Sequence, residues 1–147
     1  VNLLQRVKID QVLGYYAAGT TKRTSDIIDM ANYDGVLFIA ELGTIIENGT
    51  VDVFVEQNTE NSTSGMARLA TTTAHTVTAA NAALAKSAIV VDVFRPNKRY
   101  LQCNITPATQ NAVILGITAI RYSGRICPDA NAGLLKSTQL ISPDEAA

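Results

Sequence analysis

Residues 86–125 read KSAIVVDVFRPNKRYLQCNITPATQNAVILGITAIRYSGR, and they decide the fold because three β-rich runs are divided there by two turn signals. Residues 87–94 are β-branched and apolar at both alternating positions, which predicts a strand covered on both faces. Arg95-Pro96-Asn97-Lys98 ends it, since proline fixes φ and has no N–H to give a ladder. In residues 99–105, Tyr100, Gln102 and Asn104 alternate with Leu101, Cys103 and Ile105, the pattern of a half-buried strand with one wet face. Thr106-Pro107-Ala108-Thr109-Gln110 turns the chain again. Residues 111–122 place Val113, Leu115 and Ile117 on one face and Ala112, Ile114 and Ile120 on the other, so a central strand is expected. Three such strands in succession predict an antiparallel sandwich or barrel.

Upstream, Asp34-Gly35 and Asn48-Gly49 are turn signals between β-rich runs, Asp-Gly being favoured where φ becomes positive. Residues 36–42 form a strong strand between them, and residues 45–46 and 51–55 are expected to pair as a hairpin across Asn48-Gly49. Val51, Val53 and Val55 alternate with Asp52, Phe54 and Glu56, so one face is the more buried. Residues 57–65 are polar and aperiodic, a loop, and they include the sequon Asn61-Ser62-Thr63. Weaker signals give a loop over residues 17–24, short strands over 25–30 and 72–78, a turn or helical piece over 79–85, and an edge strand over 134–141. Eight or so short strands without a long amphipathic helix predict an all-β antiparallel sandwich. It forms one domain over 1–147, with residues 1–16, themselves read as strand-like, and 132–147 as extended arms. Residues 142–147 read as a solvated tail.

The 147 residues are 47% hydrophobic and only 17% charged, and twelve basic groups nearly balance thirteen acidic ones. Such a chain buries a core but projects no field toward nucleic acid or anionic lipid, so no specific nucleic-acid partner is expected. No apolar run approaches the roughly 20 residues of a membrane-spanning helix, and residues 1–6 lack the order of a secretion signal, so no membrane partner is expected either. Cys103 sits on an apolar strand face and Cys127 precedes a proline; a reduced pair is favoured over a disulfide. With one histidine and two cysteines, no metal or cofactor site is expected.

Catalytic patterns are correspondingly sparse. His75 lies in a threonine-rich segment with no nucleophile motif and reads as a surface residue. The carboxylates select no pair by spacing; Asp92, in an apolar run, needs a partner, and Arg99 is the candidate if the two runs form a tight hairpin. The glycines do not open a phosphate-binding helix. Arg95, Lys98 and Arg99 beside Tyr100 form a basic turn suited to an acidic patch on another protein, and Tyr15 and Tyr16 in the N-terminal arm are further interface candidates.

Three segments carry a resemblance: residues 33–44 (YDGVLFIAELGT), residues 92–100 (DVFRPNKRY), and residues 111–122, which open on Asn111-Ala112-Val113 and close on Ala119-Ile120-Arg121-Tyr122. Together they resemble small proteins encoded among the head genes of tailed bacteriophages, and the likeness spans about residues 25–125. It implies a non-enzymatic virion structural protein, most like a capsid decoration (cement) protein, with a jelly-roll or related sandwich, trimeric self-association and the major capsid protein as partner. Its place would be the capsid of the virion, reached from the host cytoplasm during assembly, with the terminal arms reaching adjacent subunits. A head-to-tail connector or tail component is the alternative within the same setting. A carbohydrate-binding module is the alternative from another class; with no Trp, five Tyr and three Phe, aromatic residues for a sugar platform are few.

Overall fold

The computed structural model describes residues 2–69, 74–82, 86–124 and 133–138. Its strand segments are β1 (Val7–Leu13), β2 (Tyr16–Gly19), β3 (Arg23–Thr24), β4 (Ile28–Asp29), β5 (Gly35–Ile45), β6 (Thr50–Asn58), β7 (Ala67–Arg68), β8 (His75–Thr76), β9 (Ser87–Phe94), β10 (Tyr100–Ala108) and β11 (Ala112–Tyr122). A 3-10 turn (Leu3–Gln5) and one helical turn (Ala79–Ala82) accompany them. Two antiparallel sheets result: sheet A in the order β1-β11-β5-β9, with β2 also on β11, and sheet B in the order β3-β10-β6-β7, with β4 also on β10 and β8 also on β6. The all-β antiparallel sandwich expected from the sequence is what forms.

Three of the outer strands are interrupted. β1 and β2 lie one after the other along β11, β3 and β4 along β10, and β7 and β8 along β6, so each couple acts as one broken rib. Between β3 and β4, Ser25 repairs the gap: its Oγ accepts the Cys103 N–H at 3.0 Å and its own N–H reaches the Cys103 carbonyl at 2.8 Å. Each sheet then has four ribs, and numbered along the chain they run 1-8-3-6 in sheet A and 2-7-4-5 in sheet B. Only β6 and the β7–β8 rib are both successive and paired.

This topology corrects the pairing expected from the sequence. Residues 86–125 do give three strands, but β9 and β11 belong to sheet A and β10 to sheet B, so none of the three bonds to another. The Asn48-Gly49 turn likewise carries the chain from β5 in one sheet to β6 in the other, and residues 45–46 do not pair with 51–55. Turn residues specify a reversal of direction; they carry no information about which sheet receives the next strand. Asn48 takes the positive φ of its turn at 68°, and near Asp34-Gly35 it is Asn32 that does so at 72°.

The N-terminal expectation also changes. Residues 7–13 are not a free arm but a strand registered on β11 from Val7 opposite Tyr122 to Leu13 opposite Ile117, with Val7, Asp10 and Val12 buried. Apolar side chains at alternate positions found a sheet to complete. β2 and β3 occupy the stretch read as a loop over 17–24. β10 continues through Pro107, which was read as part of a turn; β3 ends opposite Ile105, so beyond that point β10 has a side where a missing N–H costs no ladder bond. Of the strand expected over 134–141, residues 134–138 are not in a strand and the rest lie outside the described residues, as do Cys127, the tail and residues 70–73.

The core lies between the sheets. Val36, Phe38, Ala40 and Leu42 of β5 meet Val51, Val53 and Val55 of β6 and Leu101, Cys103 and Ile105 of β10, closed by Ile114, Ile117 and Ala119 of β11. Burial of each larger side chain stabilises the fold by roughly 1.5–3 kcal/mol. The outer face of β10, expected to be wet, is covered: Gln102 donates to the Ser25 carbonyl at 2.9 Å and to Thr63 Oγ1 at 3.3 Å, while Asn104 accepts from Thr24 Oγ1 and donates to Glu56 at 2.5 Å. The loop after β6 folds back over it because Asn58 Nδ2 donates to the carbonyls of Ser62 and Ser64. Phe54, on the same outer side, is sheltered by cations, with Arg68 4.2 Å and Lys22 5.3 Å from its ring centre.

Burial pushes the Cys103 thiol up from 9.0 to about 12. Burial first, then the hydrogen bond to Asp92, pushes the Tyr122 phenol up from 10.0 to about 12. Both groups hold their proton more tightly folded than unfolded, so the stability they contribute is complete below the unfolded values and is lost as pH rises through about 12. The urea midpoint should fall progressively between pH 9 and 12. A midpoint that stays constant across that window would contradict the burial of Cys103 and the Tyr122–Asp92 hydrogen bond.

Candidate interaction surface

The crossover from β9 to β10 is built against the segment between β4 and β5. Arg95 N–H donates to the Asp34 carbonyl at 2.7 Å, and Met30 N–H donates to the Arg99 carbonyl at 2.9 Å, so both ends of the crossover are fastened to one neighbour. Asp29 organises the junction: it accepts the Ala31 N–H at 2.9 Å and takes both Arg99 Nε and Nη2 at 2.8 Å. The Arg99 guanidinium holds the Asp29 carboxyl below its ordinary value and is itself raised by it. Between the two segments lies an open groove of about 490 Å³ lined by Met30, Tyr33, Asp34, Arg95, Lys98 and Arg99.

Here Arg95, Lys98 and Arg99, grouped in the sequence, are also grouped in space, with Tyr100 beginning β10 and its ring 5.2 Å from the Arg99 guanidinium carbon. The charge of Arg99 is matched by Asp29. Arg95, at φ 51°, lies over the Phe94 ring at 5.1 Å, and among the described residues neither exposed Arg95 nor half-buried Lys98 forms an ion pair, so the two cations outnumber Asp34, the other charged residue of the lining besides the paired Arg99. The Asp92–Arg99 pairing expected of a hairpin does not form, because Asp92 is on β9 of sheet A whereas Arg99 ends the crossover into β10 of sheet B. Asp92 is exposed and accepts instead from the Tyr122 hydroxyl at 2.5 Å.

Tyr15 and Tyr16 are elsewhere. Tyr16 is opposite Ile114, whereas the basic crossover follows Phe94, which is level with Gly35 and Tyr122. Eight residues of β11 separate the two levels, or about 26 Å at ~3.3 Å per residue. Tyr15 is exposed, and Tyr16 is half-buried under the Arg23 guanidinium at 4.0 Å. The six interface candidates therefore do not form one surface.

A second surface was hidden in the sequence. On the outer face of sheet A the register aligns Phe94, Gly35 and Tyr122 in one row, Asp92, Leu37, Ile120 and Ile9 in the next, and Val90, Ile39, Thr118 and Gln11 in a third. Val90 and Phe94 are 54% and 58% exposed. Their strand reads as apolar on both faces, which suggested cover that the structure does not supply. Gly35 is required in the first row: a Cβ there would collide with the Tyr122 ring, which crosses β5 at that point to reach Asp92 on β9.

His75 is exposed on β8 opposite Val51, and among the described residues no three His, Cys, Asp or Glu side chains converge as metal ligands. The chain matches no protein-family model and no curated protein.

Proposed function

We propose that the protein is a structural component of a tailed-bacteriophage head: a decoration protein that binds the outside of the shell through the major capsid protein and through copies of itself. The observation that carries this reading is the placement of large apolar side chains on a rigid exterior. Val90 and Phe94 on sheet A, with Leu115 and Ile46, are each exposed by two-fifths or more on a framework whose core is closed. Apolar surface held rigidly outward suits contact with another protein. The three segments that carry the resemblance also meet in space, since β5 lies between β9 and β11 in one sheet.

The rib order supports reading the sandwich as a jelly roll, an architecture used by viral capsid and lectin domains. Attachment on this reading is adhesive and non-enzymatic, in the virion after assembly in the host cytoplasm. With residues 7–13 committed to sheet A, it falls to the outer face and the basic groove rather than to an N-terminal arm. Stable contacts of this kind bury about 1,000 Å² or more.

Quantitative mass spectrometry of purified particles should find copies in proportion to the major capsid protein, and particles stripped of the protein should release DNA at a lower temperature. A few copies confined to one vertex would favour the connector or tail alternative. Absence from the particle would refute the virion reading altogether.

A further inference from the structure

We propose that a second copy of this chain pairs with the free edge of β9, antiparallel, about a two-fold axis at Val90. The pairing stands on that edge and is independent of what the assembled protein binds.

Among the described residues β5 is the only strand paired with β9, so one side of an eight-residue strand presents unbonded N–H and C=O groups. The Arg95 N–H donates to Asp34, and the alternation of an antiparallel ladder then turns Val93, Val91 and Ile89 toward β5. Ala88, Val90, Asp92 and Phe94 direct their backbone groups to the open side. The other outer ribs are all interrupted: β1–β2 by a register shift and a break, and β3–β4 and β7–β8 by division into two-residue pieces. β9 alone runs unbroken, without a register shift, and SAIVVDVF contains neither the lysine nor the proline that blunts an edge.

Its side chains select a second copy as the occupant. With Val90 opposite the second copy's Val90, Ala88 faces Asp92, and each Asp92 has the other copy's Lys86 as a diagonal neighbour on the same face. The complementary charges meet twice by symmetry. Parallel pairing in register would instead line Asp92 against Asp92, which like charges disfavour. The antiparallel seam joins two sheets into one and brings the exposed Val90 side chains together.

Sedimentation equilibrium of the full chain tests this, with a dimer expected and with amide exchange at Ala88, Val90 and Asp92 slowing as concentration rises. Val90→Lys alters an exposed side chain, so the fold should remain while dimer affinity falls at least tenfold. Val90→Cys in a Cys127→Ser background should oxidise to a covalent dimer, since directly opposed hydrogen-bonded residues have Cα atoms about 5.5 Å apart, within disulfide range. A monomer at all concentrations, protection of these amides in a monomer, or an oligomer unchanged by Val90→Lys would overturn the proposal. Mass spectrometry of particles bearing the unaltered protein tests the virion reading separately from sedimentation of the free chain.

Discussion

Deleting residues 1–11 should unfold the protein, not merely detach it from a surface. The deletion removes the 3-10 turn and most of β1, including buried Val7 and Asp10. Burial of Val7 accounts for roughly 1.5–3 kcal/mol. Loss of Asp10 leaves Arg121 of β11 as a buried cation without its carboxylate, a further cost of about 3–5 kcal/mol. The sum is comparable to the ~5–15 kcal/mol total stability of an ordinary domain, before the lost β1–β11 ladder is counted. Circular dichroism and proteolysis of the truncated chain should show a largely unfolded, readily cleaved species. A truncated protein melting at the full-length temperature would return these residues to the role of an arm.

Arg121→Ala should be the most damaging single substitution of a polar side chain, lowering stability by about 3–5 kcal/mol. Arg121 is nearly enclosed: Nη2 donates to Asp10, Nη1 donates to the Asp29 carbonyl at 2.8 Å, and the guanidinium lies 5.2 Å from the Tyr33 ring centre. It thus ties β1 and β11 of sheet A to β4 of sheet B. Among the described residues its Nε is buried without a hydrogen-bond partner, so the site is held at some desolvation cost. The decisive comparison is a double variant, Asp10→Leu with Arg121→Met, which removes both charges while keeping volume. It should recover most of the loss in urea unfolding, because the larger penalty comes from orphaning one charge. If Arg121→Ala shifts the midpoint no more than a surface substitution, the pair is not buried in solution.

For the longest β-branched runs strand position is readable from the sequence, and strand partnership is not. Residues 87–94 coincide with β9, and 111–122 differ from β11 by one residue, because β-branched runs and proline or glycine breaks act locally. Pairing depends on which sheet a strand joins after a turn, and no residue of the turn encodes that. Gln102 and Asn104 were misread for a related reason: periodicity separates polar from apolar faces, but a polar face bonded to Thr63, Thr24 and Glu56 is as buried as an apolar one. β9 shows the converse, an apolar outer face left open at Val90 and Phe94. For the interface candidates, the local cluster of Arg95, Lys98 and Arg99 survived folding as a cluster. The relation of Tyr15 and Tyr16 to it depended on sheet register and could not be inferred.

The position of β11 has a consequence for how the chain is made. It bonds to β1, β2 and β5, yet it is the last strand described, so sheet A has no centre until about residue 122 has been synthesised. Before then β1 and β5 have no common neighbour, and nearly every other pairing joins segments distant along the chain. A nascent chain of this topology emerges from the ribosome as a set of unclosed edges, and folding begins in earnest only once β11 has been made. Loop closure of this kind is slow. A premature stop before β11 would therefore yield not a shorter sandwich but an aggregation-prone polypeptide, and the cell's chaperones, more than the final fold's stability, would govern how much folded protein accumulates.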